Sequence, residues 1–206
     1  MVGIINYGAG NIFSIYSAIK ICGCTPFLIE NSKDIKKAGI IVIPGVGAFD
    51  DGMNFLIKTG IGEVIKTEIK RGKFFLGICL GLQLLFQKSE EGNLNGLGIL
   101  EGIVKKFSFS NVSIKVPHMG WNKVKQKKKN ILFSNIPDNS YFYFAHSYYA
   151  DVKEKEIIYG ITKHYIEFPS IVIENNIVGV QFHPEKSGKY GLQFLKNFFS
   201  NFSKIN

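Results

Sequence analysis

The chain has 206 residues, 46% of them hydrophobic, with 25 Lys and Arg against 16 Asp and Glu, a formal net charge of +9. That length and apolar share suffice for a single compact domain over 1–206, and no apolar run reaches the roughly 20 residues of a membrane-spanning helix. Nucleic-acid binding is disfavoured, because Arg71 is the sole Arg, the lysines are spread out, and their one run, Lys123 to Lys129, reads as a solvated turn. Cys22, Cys24 and Cys79 are too few for a disulfide framework and lack zinc spacing, so neither a metal nor a cofactor is expected. Free thiols fit a reducing, cytoplasmic setting. Met1 to Ile5 has no basic flank and reads as a buried strand rather than a signal peptide.

Strands and helices alternate along the chain, as in an α/β layered domain. Val2 to Asn6 reads as a strand, and Asn11 to Ile21 as a helix with Ile12, Ile15 and Ile19 at helical spacing. Pro26 to Glu30 and Ile40 to Ile43 are strands, and Gly52 to Arg71 holds one or two helices with a break at Thr59-Gly60. The Phe74 to Ile78 strand leads into a helix-like run carrying Leu80, Leu82, Leu84, Leu85 and Phe86. From Gly102 onward the texture turns β-rich, with strands expected at 103–107, 122–125, 141–147, 157–162, 170–174 and 178–183. A helix over 191–202 closes the chain. The first half is therefore expected to be a doubly wound, mostly parallel sheet, to which the second half adds an antiparallel portion.

The chemistry-bearing segment is Gly77-Ile78-Cys79-Leu80-Gly81, where a strand meets a helix. In a nucleophile elbow the apical side chain sits on a sharp, strained turn, and a Cβ two residues to either side would clash, hence the two glycines. Helix amides pointing at the sulfur would favour the thiolate. Taken alone, the motif fits a buried structural cysteine equally well. A cysteine nucleophile needs a base, and the base an orienting group. His183, at the end of an apolar strand, is followed by Pro184 and Glu185; an extended chain through Pro184 would send His183 and Glu185 to one side. Ile40 to Ile43 runs into Pro44-Gly45-Val46-Gly47, whose glycines let the Val46 amide turn toward a developing oxyanion, with the Leu80 amide as the second donor.

Together these segments resemble the class I, or triad, glutamine amidotransferases, with a flavodoxin-like fold. Pro117-His118-Met119-Gly120-Trp121-Asn122, the stretch from Tyr143 to Tyr149, and the opening Ile5 to Asn11 are similar to the glutaminase subunits of imidazole glycerol phosphate synthases, over residues 3 to about 200. The resemblance implies that Cys79 attacks the glutamine side-chain amide, that His183 moves the proton under orientation by Glu185, and that amides of Val46, Gly47 and Leu80 form the oxyanion hole. It implies a glutamine pocket with Gln83, Glu91, Ser147 and Tyr148. It further implies a heterodimer with a (β/α)8-barrel cyclase subunit, which takes the ammonia and switches the glutaminase on. Met119, Trp121, Tyr143 and Lys186 match that interface, and Asn11 and Tyr7 in the first turn, unmatched in detail, are expected to shape its oxyanion side. Trp121, the sole Trp, is expected in a Gly-flanked loop as an exposed anchor, though it also fits ordinary core packing. The same motifs occur in glutaminases serving surface-sugar amidotransferases, which leaves the ammonia acceptor open. A silent regulatory subunit is disfavoured by the intact Cys79, His183 and Glu185.

Overall fold

The computed structural model describes residues 1–8, 12–108 and 115–201. Five short apolar strands form a parallel half-sheet: β1 (Val2–Ile5), β2 (Pro26–Ile29), β3 (Ile40–Ile43), β4 (Phe74–Ile78) and β12 (Ile177–Val180), in the order β2-β1-β3-β4-β12. The antiparallel strands β11 (Ile166–Glu174), β10 (Ile158–His164), β7 (His118–Gln126) and β8 (Ser140–His146) extend it to nine. A second, three-stranded sheet joins β5 (Lys88–Ser89), β6 (Gly102–Lys106) and β9 (Tyr148–Val152).

Parallel strands must be covered on both faces, and successive side chains alternate between them. Ile4, Val42, Leu76 and Val178 face the helices α1 (Ile12–Ile21) and α6 (Gly188–Asn201), which contribute Ile15, Ile19, Phe194 and Phe198. Ile5, Ile41, Phe75 and Ile177 face α3 (Phe49–Lys58) and α4 (Ile61–Lys70), which contribute Met53, Leu56, Ile65 and Ile69. The break between α3 and α4 falls at Gly60, whose φ of 68° an L side chain rarely adopts. In such sheets ligands bind beyond the carboxyl ends of the strands, and here the ends of β3, β4 and β12 lie side by side.

Three expectations need correcting. The elbow helix α5 covers only Leu80–Gln83, because the Leu84 and Leu85 carbonyls accept the amides of Leu97, Ile99 and Leu100 instead of continuing a helical ladder. Pro184 does not hold the chain extended: Pro184–Lys186 is a single 3-10 turn. Trp121 lies within strand β7 rather than in a loop, and β7 starts four residues earlier than expected, at His118. The short helix α2 (Ser32–Ile35), capped by the Asn31 side chain on the Lys33 amide, and strands β5 and β9 have no counterpart in the sequence reading.

Candidate active site

Cys79 follows directly on β4 with φ 49° and ψ −103°, a conformation that costs a residue with a Cβ on the order of 1–3 kcal/mol. The close approaches around it account for the glycines. A Cβ on Gly77 would sit 2.5 Å from the Gly81 carbonyl oxygen, and one on Gly45 would sit 2.0 Å from that of Ile78. The turn after β3 is thus pressed against the elbow, while the Cys79 amide donates to Val180 O at 2.7 Å. With α5 only one turn long, its dipole adds little at the sulfur.

The candidate base is His183, buried to 1% exposure, whose ring lies beside the Cys79 sulfur and whose Nδ1 donates to Glu185 Oε1 at 2.8 Å. Burial by itself would lower the imidazole pKa, but the Cys79 sulfur and the Glu185 carboxylate outweigh it and push the value up to about 10. The 3-10 turn brings Glu185 back under the ring. Ser187 Oγ closes the turn on His183 O at 2.6 Å and accepts the Tyr143 amide at 2.9 Å, while the His183 amide donates to Tyr143 O at 2.8 Å. Strand β8 therefore carries the base directly.

These groups open on a cavity of about 290 Å³ lined by Cys79, His183, Gly45, Val46, Gly47 and Leu80 on one side, and by Gln83, Glu91, Ser147 and Tyr148 on another. The Leu80 amide, first in α5, has no partner within its helix. The Val46 amide, expected at the oxyanion position, instead donates to Tyr7 Oη at 3.1 Å. That hydroxyl also lies 2.7 Å from Pro44 O and 2.9 Å from Val46 O, since a phenol enclosed between two strand ends needs partners. Burial raises the Tyr7 pKa above its ordinary value, which keeps the hydroxyl protonated.

On the opposite wall, Gln83 Nε2 donates to Tyr148 O at 3.0 Å. A carbonyl only accepts, so this contact fixes the amide orientation, with Nε2 turned to Tyr148. Glu91 Oε2 accepts the Phe49 amide at the start of α3, at 2.9 Å, and burial raises its pKa. At the mouth, Met119 and Lys186 also line the cavity, and both are exposed. Trp121 is 55% exposed and meets the half-buried Tyr143 ring edge to face, centroids 6.1 Å apart. The structure thus excludes core packing for Trp121. Asn11 lies outside the described residues.

Comparison with known proteins accords with this geometry. The profile of the family described as glutamine amidotransferase class-I matches residues 3–202. The chain belongs to the class-I glutamine amidotransferase family. Among curated proteins, this amidotransferase is 47% identical to "Imidazole glycerol phosphate synthase subunit HisH" of Caldanaerobacter subterraneus subsp. tengcongensis, over 96% of this chain and 97% of that one. It is 44% identical to the protein of the same name from Bacillus mycoides, over 96% and 93%. Among solved structures, PurLQS from Thermotoga maritima superposes with a TM-score of 0.75 at 19% identity, covering 97% of both chains. A structure titled as a glutamine amidotransferase gives 0.74 at 16% identity, over 95% and 97%. At those identities the superpositions speak for the fold.

Sequence reasoning missed two features of the amidotransferase site. One is Gln181, fully buried, which joins Cys79 to Gln83. The other is a chain of neutral histidines behind the wall. His146 Nδ1 donates to Tyr148 O at 2.7 Å, so its Nε2 accepts from His118 Nδ1 at 2.9 Å, and His118 Nε2 in turn accepts from Asn122 Nδ2 at 3.0 Å. The sequence reading placed His146 in a strand but left His118 ahead of the 122–125 strand; their pairing across the β7–β8 register joins residues 28 apart.

Proposed function

We propose that this amidotransferase is the glutaminase subunit of an imidazole glycerol phosphate synthase, hydrolysing glutamine to glutamate and passing ammonia to a cyclase subunit in histidine biosynthesis. The observation that carries the chemistry is the Cys79 sulfur and the His183 ring together in the cavity wall, with Glu185 Oε1 accepting from His183 Nδ1 behind them. The acceptor is assigned from the two relatives named above, at 44% and 47% identity over nearly their full length.

In this reading the Cys79 thiolate adds to the glutamine amide carbon. The imidazolium of His183 gives its proton to the departing nitrogen, which leaves as ammonia and a thioester remains. Neutral His183 then takes a proton from water, whose oxygen adds to the thioester carbon; glutamate leaves and the proton passes to the sulfur–imidazole pair. Gln83 turns its Oε1 to the substrate's α-ammonium, since its Nε2 is committed to Tyr148 O. The buried Glu91 carboxylate lies on the same wall.

The oxyanion receives the Leu80 amide, and a second donor, each worth about 3 kcal/mol, must come from the 45–47 turn. With the Val46 amide held by Tyr7, that donor is absent until the turn rearranges. Ammonia released to neutral water would protonate and cease to be a nucleophile, so a receiving partner is required. The exposed Met119 and Lys186 at the cavity mouth, with the exposed Trp121 on the same strand as Met119, form the docking face, and Tyr143 beside Trp121 connects it through its backbone to His183.

The test is glutamate release with and without the cognate cyclase and its phosphoribosyl-linked substrate. A strong rise with both present supports the proposal. Absence of a rise, with a cyclase active on free ammonia, would move the acceptor to a sugar amidotransferase.

A further inference from the structure

We propose that Gln181 is a positioning residue of the hydrolytic reaction, holding the Cys79 sulfur with its amide N–H while its carbonyl end fixes the substrate-binding face of Gln83. The inference rests on the glutaminase reading of the site and adds a residue to it. Gln181 follows β12 directly and is fully buried, with its backbone amide on Ser170 O at 3.0 Å. A buried primary amide must satisfy two donors and an acceptor, so its neighbours are informative.

The orientation of that amide follows from hydrogen-bond logic. Gln83 Nε2 donates to Tyr148 O at 3.0 Å, which makes the Gln83 terminus facing Gln181 a donor as well. The Gln181 atom 3.2 Å from it must accept, and is therefore Oε1. Its other terminus, 3.5 Å from Cys79 Sγ, is consequently an N–H group and not a carbonyl. The sulfur thus has an imidazole ring on one side and a neutral, water-excluded donor on another.

An N–H aimed at sulfur favours the charged thiolate over the thiol and selects one side-chain rotamer on a backbone already strained at φ 49°. Because the donor is neutral, it does this without a charge that would bind the leaving ammonia or the substrate carboxylate. The other end of the same amide constrains Gln83 Nε2, so that Gln83 shows only Oε1 to the cavity. One side chain therefore sets the nucleophile and the recognition of the α-ammonium in fixed relation.

The test reads the thiol without relying on glutaminase activity. The full chain, as wild type and as Gln181→Met and Gln181→Leu, is treated with methyl methanethiosulfonate across pH 5 to about 10, a span covering the ordinary thiol range. Modification of the Cys79 peptide is followed by mass spectrometry, which separates it from Cys22 and Cys24. Loss of the donor is expected to slow modification of Cys79 at pH 7 about tenfold and to move its pH profile up by about one unit. Cys22 and Cys24 keep their wild-type rates. An unchanged Cys79 profile in a variant with a wild-type near-ultraviolet spectrum overturns the proposal, whatever the glutaminase assay shows. Should neither variant fold, the side-chain amide nitrogen resonance of Gln181 in the wild-type chain decides. It must shift as Cys79 is modified, and a resonance indifferent to the modification overturns the assignment. A wild-type chain with the expected thiol behaviour but no glutamate release would instead count against the glutaminase reading alone.

Discussion

Tyr7 Oη accepts the Val46 amide at 3.1 Å, so the first strand of the sheet holds the peptide group that the oxyanion would need. The phenol stands at the end of β1, and the turn it holds follows the neighbouring strand β3. Removing the hydroxyl frees that amide and leaves the ring in place. For Tyr7→Phe we expect cyclase-free glutamate release to rise about fivefold, the factor that corresponds to one hydrogen bond of about 1 kcal/mol, and the stimulation by partner to shrink in proportion. Rates of glutamate formation with and without cyclase check this. A fall in both would mean that Tyr7 supports the turn rather than restraining it.

Cys79→Ala removes the nucleophile and leaves the elbow glycines and the His183–Glu185 pair intact. Glutamate release is expected to fall by about 10³-fold or more, with affinity for the cyclase unchanged. Isothermal titration against the cyclase, beside the activity assay, separates the two. Parallel loss of activity and binding would make Cys79 a structural residue.

The parts of this structure legible in the sequence are those whose cause is local. Ile40–Ile43 and Phe74–Ile78 are strands because an unbroken apolar run suits a sheet covered on both faces. The glycines around Cys79 marked the elbow because no other residue fits so near a neighbouring carbonyl. Boundaries failed where distant groups decided them. Leu84 to Phe86 is apolar enough to continue α5, but the amides of residues 97 to 100 take its carbonyls. Gln181 gave no signal at all. A Gln in an apolar strand is ambiguous until its partners, 98 and 102 residues away, are in place. The roles of Tyr7 and Val46 needed a third dimension too: motif spacing places the oxyanion turn but not which way its peptide group faces.

Trp121 stands 55% exposed beside Tyr143, whose backbone holds the His183 amide. Exposed aromatic residues of this kind anchor interfaces, and truncation of a central one costs about 2 kcal/mol or more. Trp121→Ala is expected to weaken the complex about thirtyfold or more while shifting the melting temperature of the isolated chain little. Surface plasmon resonance with immobilised cyclase gives the first quantity and a thermal melt the second. An unaltered dissociation constant would put the docking face elsewhere.

The buried histidines predict how the fold responds to acid. Burial, with His164 adding to the effect, lowers the His118 pKa to about 4; for His146, burial outweighs the Tyr148 carbonyl contact, and the value falls to about 3. Both folded values lie below the unfolded value of about 6.5, so the unfolded chain binds these protons first. Their contribution is therefore fully present above pH 6.5 and is lost as pH falls toward 3–4. His183 has the opposite sign. Its value near 10 makes its contribution complete below pH 6.5, and that contribution declines as pH rises through about 10. Melting temperature should therefore drop steeply below pH 6.5 and decline more gradually on the alkaline side, from pH 6.5 up to about 10. In the double variant His118→Asn, His146→Gln the chain should be less stable at pH 7, because the contact with Tyr148 O and the link to Asn122 are disturbed. Its acid limb should nevertheless be flatter than that of the wild type, since two of the groups that take up protons on unfolding are gone. An acid limb of unchanged slope would show that carboxylates, and not this pair, govern acid unfolding.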